Sequence, residues 1–150
     1  MGIITAYRLE EKFQHNILSV IFDSDSFFYA ISDVNGNLQA AVKYALEGKV
    51  EEEIPAIIKK ENLADHYYSS VNIFSISDKF TFVPSSEYSY GDEEAFISNS
   101  FQADSGGITV DQCSTERLHI IHSYDEIFDT ALSSLKTESN FRHISLAYIE

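Results

Sequence analysis

The residues of this chain that could perform chemistry begin with a turn, Asp23-Ser24-Asp25-Ser26, which joins two apolar segments. A turn that binds phosphate through its backbone N–H groups needs glycine, because a side chain prevents close approach of the ligand. This turn contains no glycine, and its two carboxylates repel a nucleotide unless a metal ion lies between them. We therefore predict a polar hairpin turn here, with nucleotide binding as the alternative.

An acidic cluster offers a second possibility, a two-metal centre that cleaves phosphate esters. Such centres hold two divalent ions about 4 Å apart on carboxylates from neighbouring elements. The candidates are Asp23 or Asp25 in the turn, Glu52 or Glu53 on a predicted helix, and Asp78 after a later strand. With 24 acidic residues among 150, however, chance alone places carboxylates on these elements. Asp23, Asp25 and Asp78 are thus alternative catalytic candidates, while we predict no catalytic residue, cofactor or metal site.

Two histidines and one cysteine complete the candidates. His119 and His122 lie on a predicted strand, where a spacing of three directs side chains to opposite faces, which disfavours a zinc site. Cys113 as a nucleophile would need one of these histidines within reach. Its acidic neighbours Asp111 and Glu116 disfavour the thiolate, so we predict a structural or a surface thiol.

The composition narrows the class of protein. A chain of 150 residues is typical of a single domain, here 1–150, with a sizeable core. Its net charge of −14 opposes binding to nucleic-acid backbones and to anionic membranes. We found neither a signal sequence nor an apolar run near the roughly 20 residues that span a bilayer. These features predict a cytoplasmic protein with no nucleic-acid or membrane partner.

The strongest structural signal is a run of three strands with two tight turns, predicted at 17–22, 27–32 and 38–46. The first is apolar except for Ser19 and predicts a strand buried on both faces. Asn35-Gly36 predicts a two-residue hairpin turn with positive φ. Alternation in the third strand predicts that one face carries Leu38, Ala40, Val42, Tyr44 and Leu46.

The remaining pattern alternates helices and strands. Helices are predicted at 50–63, 91–101 and 124–136, and strands at 71–76, 80–83, 108–112, 118–122 and 141–149; residues 1–16 form a leading strand or an ordered arm. A β-meander followed by βα units predicts an α/β fold with helices covering a mixed sheet of five or more strands. Ribonuclease-H-like and actin-like subdomains begin in this way.

Three segments carry a resemblance to a known family: LSVIFDSDSFFYAISD, VNIFSISDKFTFVPSSEY and LHIIHSYDEIFDTALSSLK. In these the chain resembles the DUF3822 proteins, a bacterial family of unknown function found mostly in Bacteroidetes. The resemblance implies an actin-like, ribonuclease-H-like fold related to the pseudo-ATPase domains of pilus-assembly scaffolds. Actin-like ATPases place an Asp followed by a glycine where this chain has Asp23-Ser24, so the resemblance implies a non-catalytic interaction domain.

Proteins of this fold usually contain two similar halves, and this chain resembles the first. The predicted strand 141–149 lies where a second lobe would begin. We expect the uncovered surface to bind a second copy or another protein, with interface candidates Ile144, Leu146, Tyr148 and Ile149. A metal- or nucleotide-dependent enzyme that uses Asp23 and Asp25 is the alternative function.

Overall fold

The computed structural model describes residues 1–9, 16–101, 107–135 and 142–144. The chain divides into two compact units. Unit 1 comprises Met1–Phe74 and Ile127–Ser139, and unit 2 comprises Ser75–Glu126 and Asn140–Glu150. Each unit has its own sheet region and buried side chains, so each is described by itself.

Strands and helices alternate in the order that the sequence predicts. The strands are β1 (Gly2–Arg8), β2 (Ile17–Phe22), β3 (Ser26–Ser32), β4 (Leu38–Ala45), β5 (Ser70–Ser75), β6 (Phe80–Pro84), β7 (Gly107–Cys113), β8 (Leu118–Tyr124) and β9 (Arg142–His143). The helices are α1 (Val50–Lys60), α2 (Glu93–Ser100) and α3 (Ile127–Leu132). Single 3-10 turns follow α1 at Leu63–Asp65 and α3 at Ser133–Leu135. The predicted mixed α/β fold is confirmed.

The sheet of unit 1 has the strand order β1-β4-β3-β2-β5, and β2, β3 and β4 form the predicted antiparallel meander. Alternate residues of β2 are buried, namely Leu18, Val20 and Phe22, while those between them are half-buried. The prediction that β2 is buried on both faces is therefore wrong. Successive side chains of a strand point to opposite faces, and here only one face is fully covered.

The third strand of the meander departs from its predicted face at one end. Ala40, Val42 and Tyr44 are buried as predicted, and so is Leu46 just beyond the strand. Leu38, however, is 41% exposed, because the register between β3 and β4 shifts next to Ser32, which pairs with Leu38. An irregularity of this kind breaks the alternation of period two and turns Leu38 outward.

The β3–β4 connection is a hairpin of a different type from the one predicted. The N–H of Gly36 donates to the Asp33 carbonyl at 3.1 Å, and the N–H of Asp33 donates to the Asn37 carbonyl at 3.0 Å. The loop between Asp33 and Asn37 therefore has three residues. Within it only the last, Gly36, has positive φ, at 83°. The predicted positive φ of Gly36 is confirmed, and the predicted two-residue turn is wrong.

Helix α1 contributes one face to the core of unit 1. Three acidic residues stand in its first turn and Lys59 and Lys60 in its last, which suits the helix dipole. Ile54, Ile57 and Ile58 are its buried residues. The helix ends before the predicted Leu63, and Asn62 lies in the left-handed region with φ of 54°. Helix α3 packs beside α1, and the rings of Phe22 and Phe128 are 4.3 Å apart.

Unit 2 contains a three-stranded antiparallel sheet with the order β6-β8-β7. Helix α2 packs on this sheet, where Ile97 joins Val83 and Ile121 in a buried cluster. The short strand β9 also belongs to unit 2, and the N–H of Ile144 just beyond it donates to the Ser75 carbonyl. Of the predicted strand 141–149, residue 141 and residues 145–149 lie outside the described ranges.

Candidate functional site

The turn between β2 and β3, where the sequence places its first catalytic candidates, is closed by its own aspartate. Asp23 Oδ1 accepts the backbone N–H groups of Asp25 at 2.8 Å and Ser26 at 2.5 Å. Its Oδ2 accepts the Ser26 hydroxyl at 3.1 Å. The Asp23 carboxylate thus occupies the position in which the N–H groups of a phosphate-binding turn would hold an anion.

The other acidic candidates either accept hydrogen bonds from the backbone or are exposed to solvent. Asp25 and Asp78 are exposed, the latter in the loop between β5 and β6 of unit 2. Glu53 Oε2 accepts the N–H groups of Glu47 at 2.9 Å and Gly48 at 3.1 Å, ahead of α1. Across the described residues, no three or more His, Cys, Asp or Glu side chains are arranged to hold a metal ion.

Unit 1 contains an open cavity of about 390 Å³, lined by both polar and apolar residues, that sequence reasoning missed. Its wall combines the ends of β1 and β4, the middle of β3 and the segment after α1; the lining residues are Arg8, Leu9, Asn16, Tyr29, Ile31, Gln39, Ala40, Glu61, His66 and Tyr68. Two of these residues, Asn16 and Tyr68, each have a buried oxygen that finds no hydrogen-bond partner among the described residues. The cavity has the dimensions to hold several water molecules.

Glu61 is the centre of the charge arrangement at this cavity. Its Oε2 accepts from Arg8 Nη2 at 2.7 Å and from the Tyr29 hydroxyl at 2.5 Å, and its Oε1 accepts from the Tyr44 hydroxyl. Desolvation acts to raise the pKa of Glu61, but these three donors outweigh it and the net pKa is lowered. Desolvation, followed by the Glu61 hydrogen bond, raises the pKa of Tyr44 to about 12 and that of Tyr29 further. The Glu61 carboxylate is therefore committed to structural hydrogen bonds.

A serine, a histidine and an aspartate come together in unit 2. His122 Nδ1 lies 3.4 Å from Ser75 Oγ, and His122 Nε2 lies 3.2 Å from Asp111 Oδ2 without forming a hydrogen bond to it. These groups perform acyl transfer in hydrolases when the serine is open to substrate. Here Ser75 is 2% exposed and His122 is fully buried. A substrate carbonyl cannot reach the hydroxyl, so we interpret the group as a buried polar network.

His143 of β9 extends this network. Its backbone N–H donates to Asp111 Oδ2 at 2.6 Å, and its Nε2 lies 2.9 Å from the Ser77 carbonyl. Because a carbonyl can only accept, Nε2 carries the proton of the neutral ring. The ring stacks on Phe80 and lies 5.2 Å from the His122 ring, and desolvation lowers the pKa of His143.

The remaining candidates from the sequence are separated by the strand geometry. His119 is half-buried, stacks on Tyr88 at 4.1 Å between ring centres, and lies 3.3 Å from Ser85 Oγ through Nδ1. His122 points to the opposite face of β8, as the strand spacing predicts. Cys113 is fully buried against Ile120, which agrees with a structural thiol.

The meander, the helix that follows it and the mixed sheet define an actin-like, ribonuclease-H-like fold. A solved structure from Bacteroides thetaiotaomicron, a protein with actin-like ATPase fold and unknown function, superposes with a TM-score of 0.80 at 19% sequence identity. The match covers 89% of this chain and 54% of that one, so this chain spans about half the length of that protein.

The family follows from the sequence match. Residues 9–150 match the family of proteins of unknown function designated DUF3822, and the chain belongs to that family. No curated protein matches the chain significantly. Within the described residues, no helix is both long and apolar enough to cross a bilayer.

Proposed function

We propose that this chain is a non-catalytic, pseudo-ATPase-type interaction domain built on the actin-like fold. The observation that carries the proposal is the self-occupied turn of Asp23 between β2 and β3. A phosphate group that approached these N–H groups would have to displace a carboxylate that accepts two backbone donors and the Ser26 hydroxyl. Removing hydrogen bonds to a charged acceptor costs about 1.5–3 kcal/mol, before like-charge repulsion is added.

The alternative function is a metal- or nucleotide-dependent phosphohydrolase that uses Asp23 and Asp25. It requires both carboxylates to face a ligand. Asp23 instead faces its own backbone, and Asp25 contacts the neighbouring Ser24 hydroxyl at 3.3 Å. These contacts favour the non-catalytic proposal.

Titration calorimetry with ATP and GTP, each with and without Mg²⁺ or Mn²⁺, tests the proposal. We expect no measurable heat of binding. The protein is used at about 100 μM, a concentration at which any dissociation constant in the micromolar range would be detected. Micromolar binding that Asp23→Ala abolishes and Asp78→Ala preserves would instead establish the nucleotide-dependent enzyme.

We propose that the partner is a protein, either a second copy of this chain or another chain. Nucleic acids and membranes are not proposed as partners. The net charge of −14 supports this choice, since phosphate backbones and anionic lipids are repelled. The proposed location is the cytoplasm. Of the interface candidates near the end of the chain, Ile144 is half-buried, and Leu146, Tyr148 and Ile149 lie outside the described ranges.

A further inference from the structure

Strand β1 presents an exposed apolar edge that the sequence did not reveal. Among the strands that the structure describes, it is the terminal strand of its sheet and pairs on one side with β4. Every residue of β1 is exposed, including the apolar side chains of Ile3 (48%), Ile4 (58%) and Tyr7 (45%). A strand edge with such side chains is a template for pairing with another strand.

The backbone groups available for pairing follow from the hydrogen bonds already made. The N–H of Leu9 donates to the Gln39 carbonyl of the strand beside it. In an antiparallel pair the direction of these groups alternates, so Tyr7 also faces β4, whereas Ala6 and Arg8 direct their N–H and C=O groups to the free edge. A bulge between Ile3 and Thr5 interrupts the strand, which leaves 5–9 as its regular segment.

We infer that this edge binds a second copy of the same chain in an antiparallel arrangement, with a twofold axis at Tyr7. Ala6 of one copy then exchanges both backbone hydrogen bonds with Arg8 of the other, and the converse pair forms by symmetry. The two Tyr7 residues face each other as a non-hydrogen-bonded pair, with Cα atoms about 4.5 Å apart. Cross-strand aromatic pairs at this spacing stabilise sheets.

The local charges explain why the occupant is another copy. Around β1, three cations (the Met1 ammonium, Arg8 and Lys43) are balanced by three anions (Glu47, Glu53 and Glu61). Met1 is paired with Glu47 and Glu53, and Arg8 with Glu61. The edge is therefore close to neutral, whereas the whole chain carries −14. A neutral strip is the place where two strongly acidic molecules can approach most closely, and their remaining repulsion is screened by salt.

The inference rests on the interaction role proposed above and names its partner. Sedimentation equilibrium on the full chain gives its first test. We expect a mass that rises toward twice the 17.0 kDa of one chain. We expect the association to tighten as NaCl is raised from about 0.05 to 0.5 M, because screening reduces the repulsion. Association that weakens with salt, or a strict monomer near 100 μM at both concentrations (about the weak limit of specific pairing), overturns the inference.

Two edge variants and a matched control locate the interface. Ala6→Pro removes an outward N–H, and Tyr7→Lys sets two ammonium groups against each other; each should raise the dissociation constant about tenfold or more. Tyr67→Lys makes the same chemical change at a residue that is 90% exposed and lies outside β1. It should leave the dissociation constant of the dimer unchanged. Equal effects at Tyr7 and Tyr67 overturn the inference, as does normal association in both edge variants. Circular dichroism shows whether each variant is folded.

Disulfide trapping tests the position of the twofold axis. The only cysteine, Cys113, is fully buried, so Tyr7→Cys introduces the exposed thiol. With oxidised glutathione as the oxidant, Tyr7→Cys should form a covalent dimer much faster than the Tyr67→Cys control. Equal rates overturn the proposed axis. Sedimentation and disulfide trapping are both carried out without nucleotide. A negative result in them therefore counts against the dimer alone, whereas binding of ATP or GTP would count against the non-catalytic proposal.

Discussion

The hydroxyl of Tyr29 lies 2.5 Å from Glu61 Oε2, although 32 positions separate the two residues in the chain. This contact joins the middle of β3 to the end of α1, and Tyr44 and Arg8 donate to the same carboxylate. One largely buried acid thus connects three strands of the sheet to the end of helix α1. Its contribution to unit 1 can be measured directly.

Glu61→Gln should destabilise the protein by about 2 kcal/mol, because it removes the charge that three donors share and leaves two tyrosine hydroxyls with a weaker acceptor. Urea unfolding followed by circular dichroism measures the change. Glu52→Gln is the control, since its carboxylate is exposed and lies 3.6 Å from Lys49; its effect should stay below about 0.5 kcal/mol. Similar losses in the two variants would contradict the role assigned to Glu61.

Asp23→Ala should cost about 1–2 kcal/mol of stability, because the N–H groups of Asp25 and Ser26 lose their shared acceptor. Asp25→Ala removes a carboxylate from the same turn whose side-chain contact is an exposed serine, and should cost about 0.5 kcal/mol or less. The difference between the two melting temperatures tests the geometry of the turn. If Asp25→Ala were the more damaging change, the self-occupied turn would be the wrong description.

Gly36→Val should destabilise the hairpin by about 1 kcal/mol or more, because φ of 83° is costly for a β-branched residue. A Cβ at this position would contact nothing within 4 Å, so the penalty is conformational rather than steric. Gly36→Asn is the matched control, since Asn tolerates the left-handed region, and it should lose markedly less. An unchanged melting temperature in Gly36→Val would show that the loop adopts another conformation.

Acidification should destabilise unit 2 through His143. Desolvation lowers the folded pKa of His143 below its ordinary value of 6.5. Below that pH the unfolded chain binds more protons than the folded chain. The contribution of His143 to the free energy of unfolding is therefore complete above about pH 6.5 and is lost as the pH falls. Urea midpoints at about pH 7.5 and pH 5.5 measure the loss, and His143→Gln should reduce it. An identical loss in His143→Gln would assign the pH dependence to other groups.

The sequence by itself determined the elements whose signals are local. The alternation in β4, the spacing of Ile54, Ile57 and Ile58, and the glycine at Gly36 each depend on residues a few positions apart. Such patterns reflect burial on one face and backbone preferences, which act within a single strand, helix or turn. The order of strands and helices, and with it the fold class, follows from them.

Only the tertiary structure decided where the polar side chains act. Asp23 could face a ligand or its own backbone, and the sequence is the same in either case. Ser75, Asp111, His122 and His143 meet although they come from four strands, and no spacing in the chain marks that meeting. The register shift that exposes Leu38 and the exposure of β1 at the sheet edge are likewise products of strand pairing. Contacts between distant segments depend on register and packing, which the order of residues along one element does not specify.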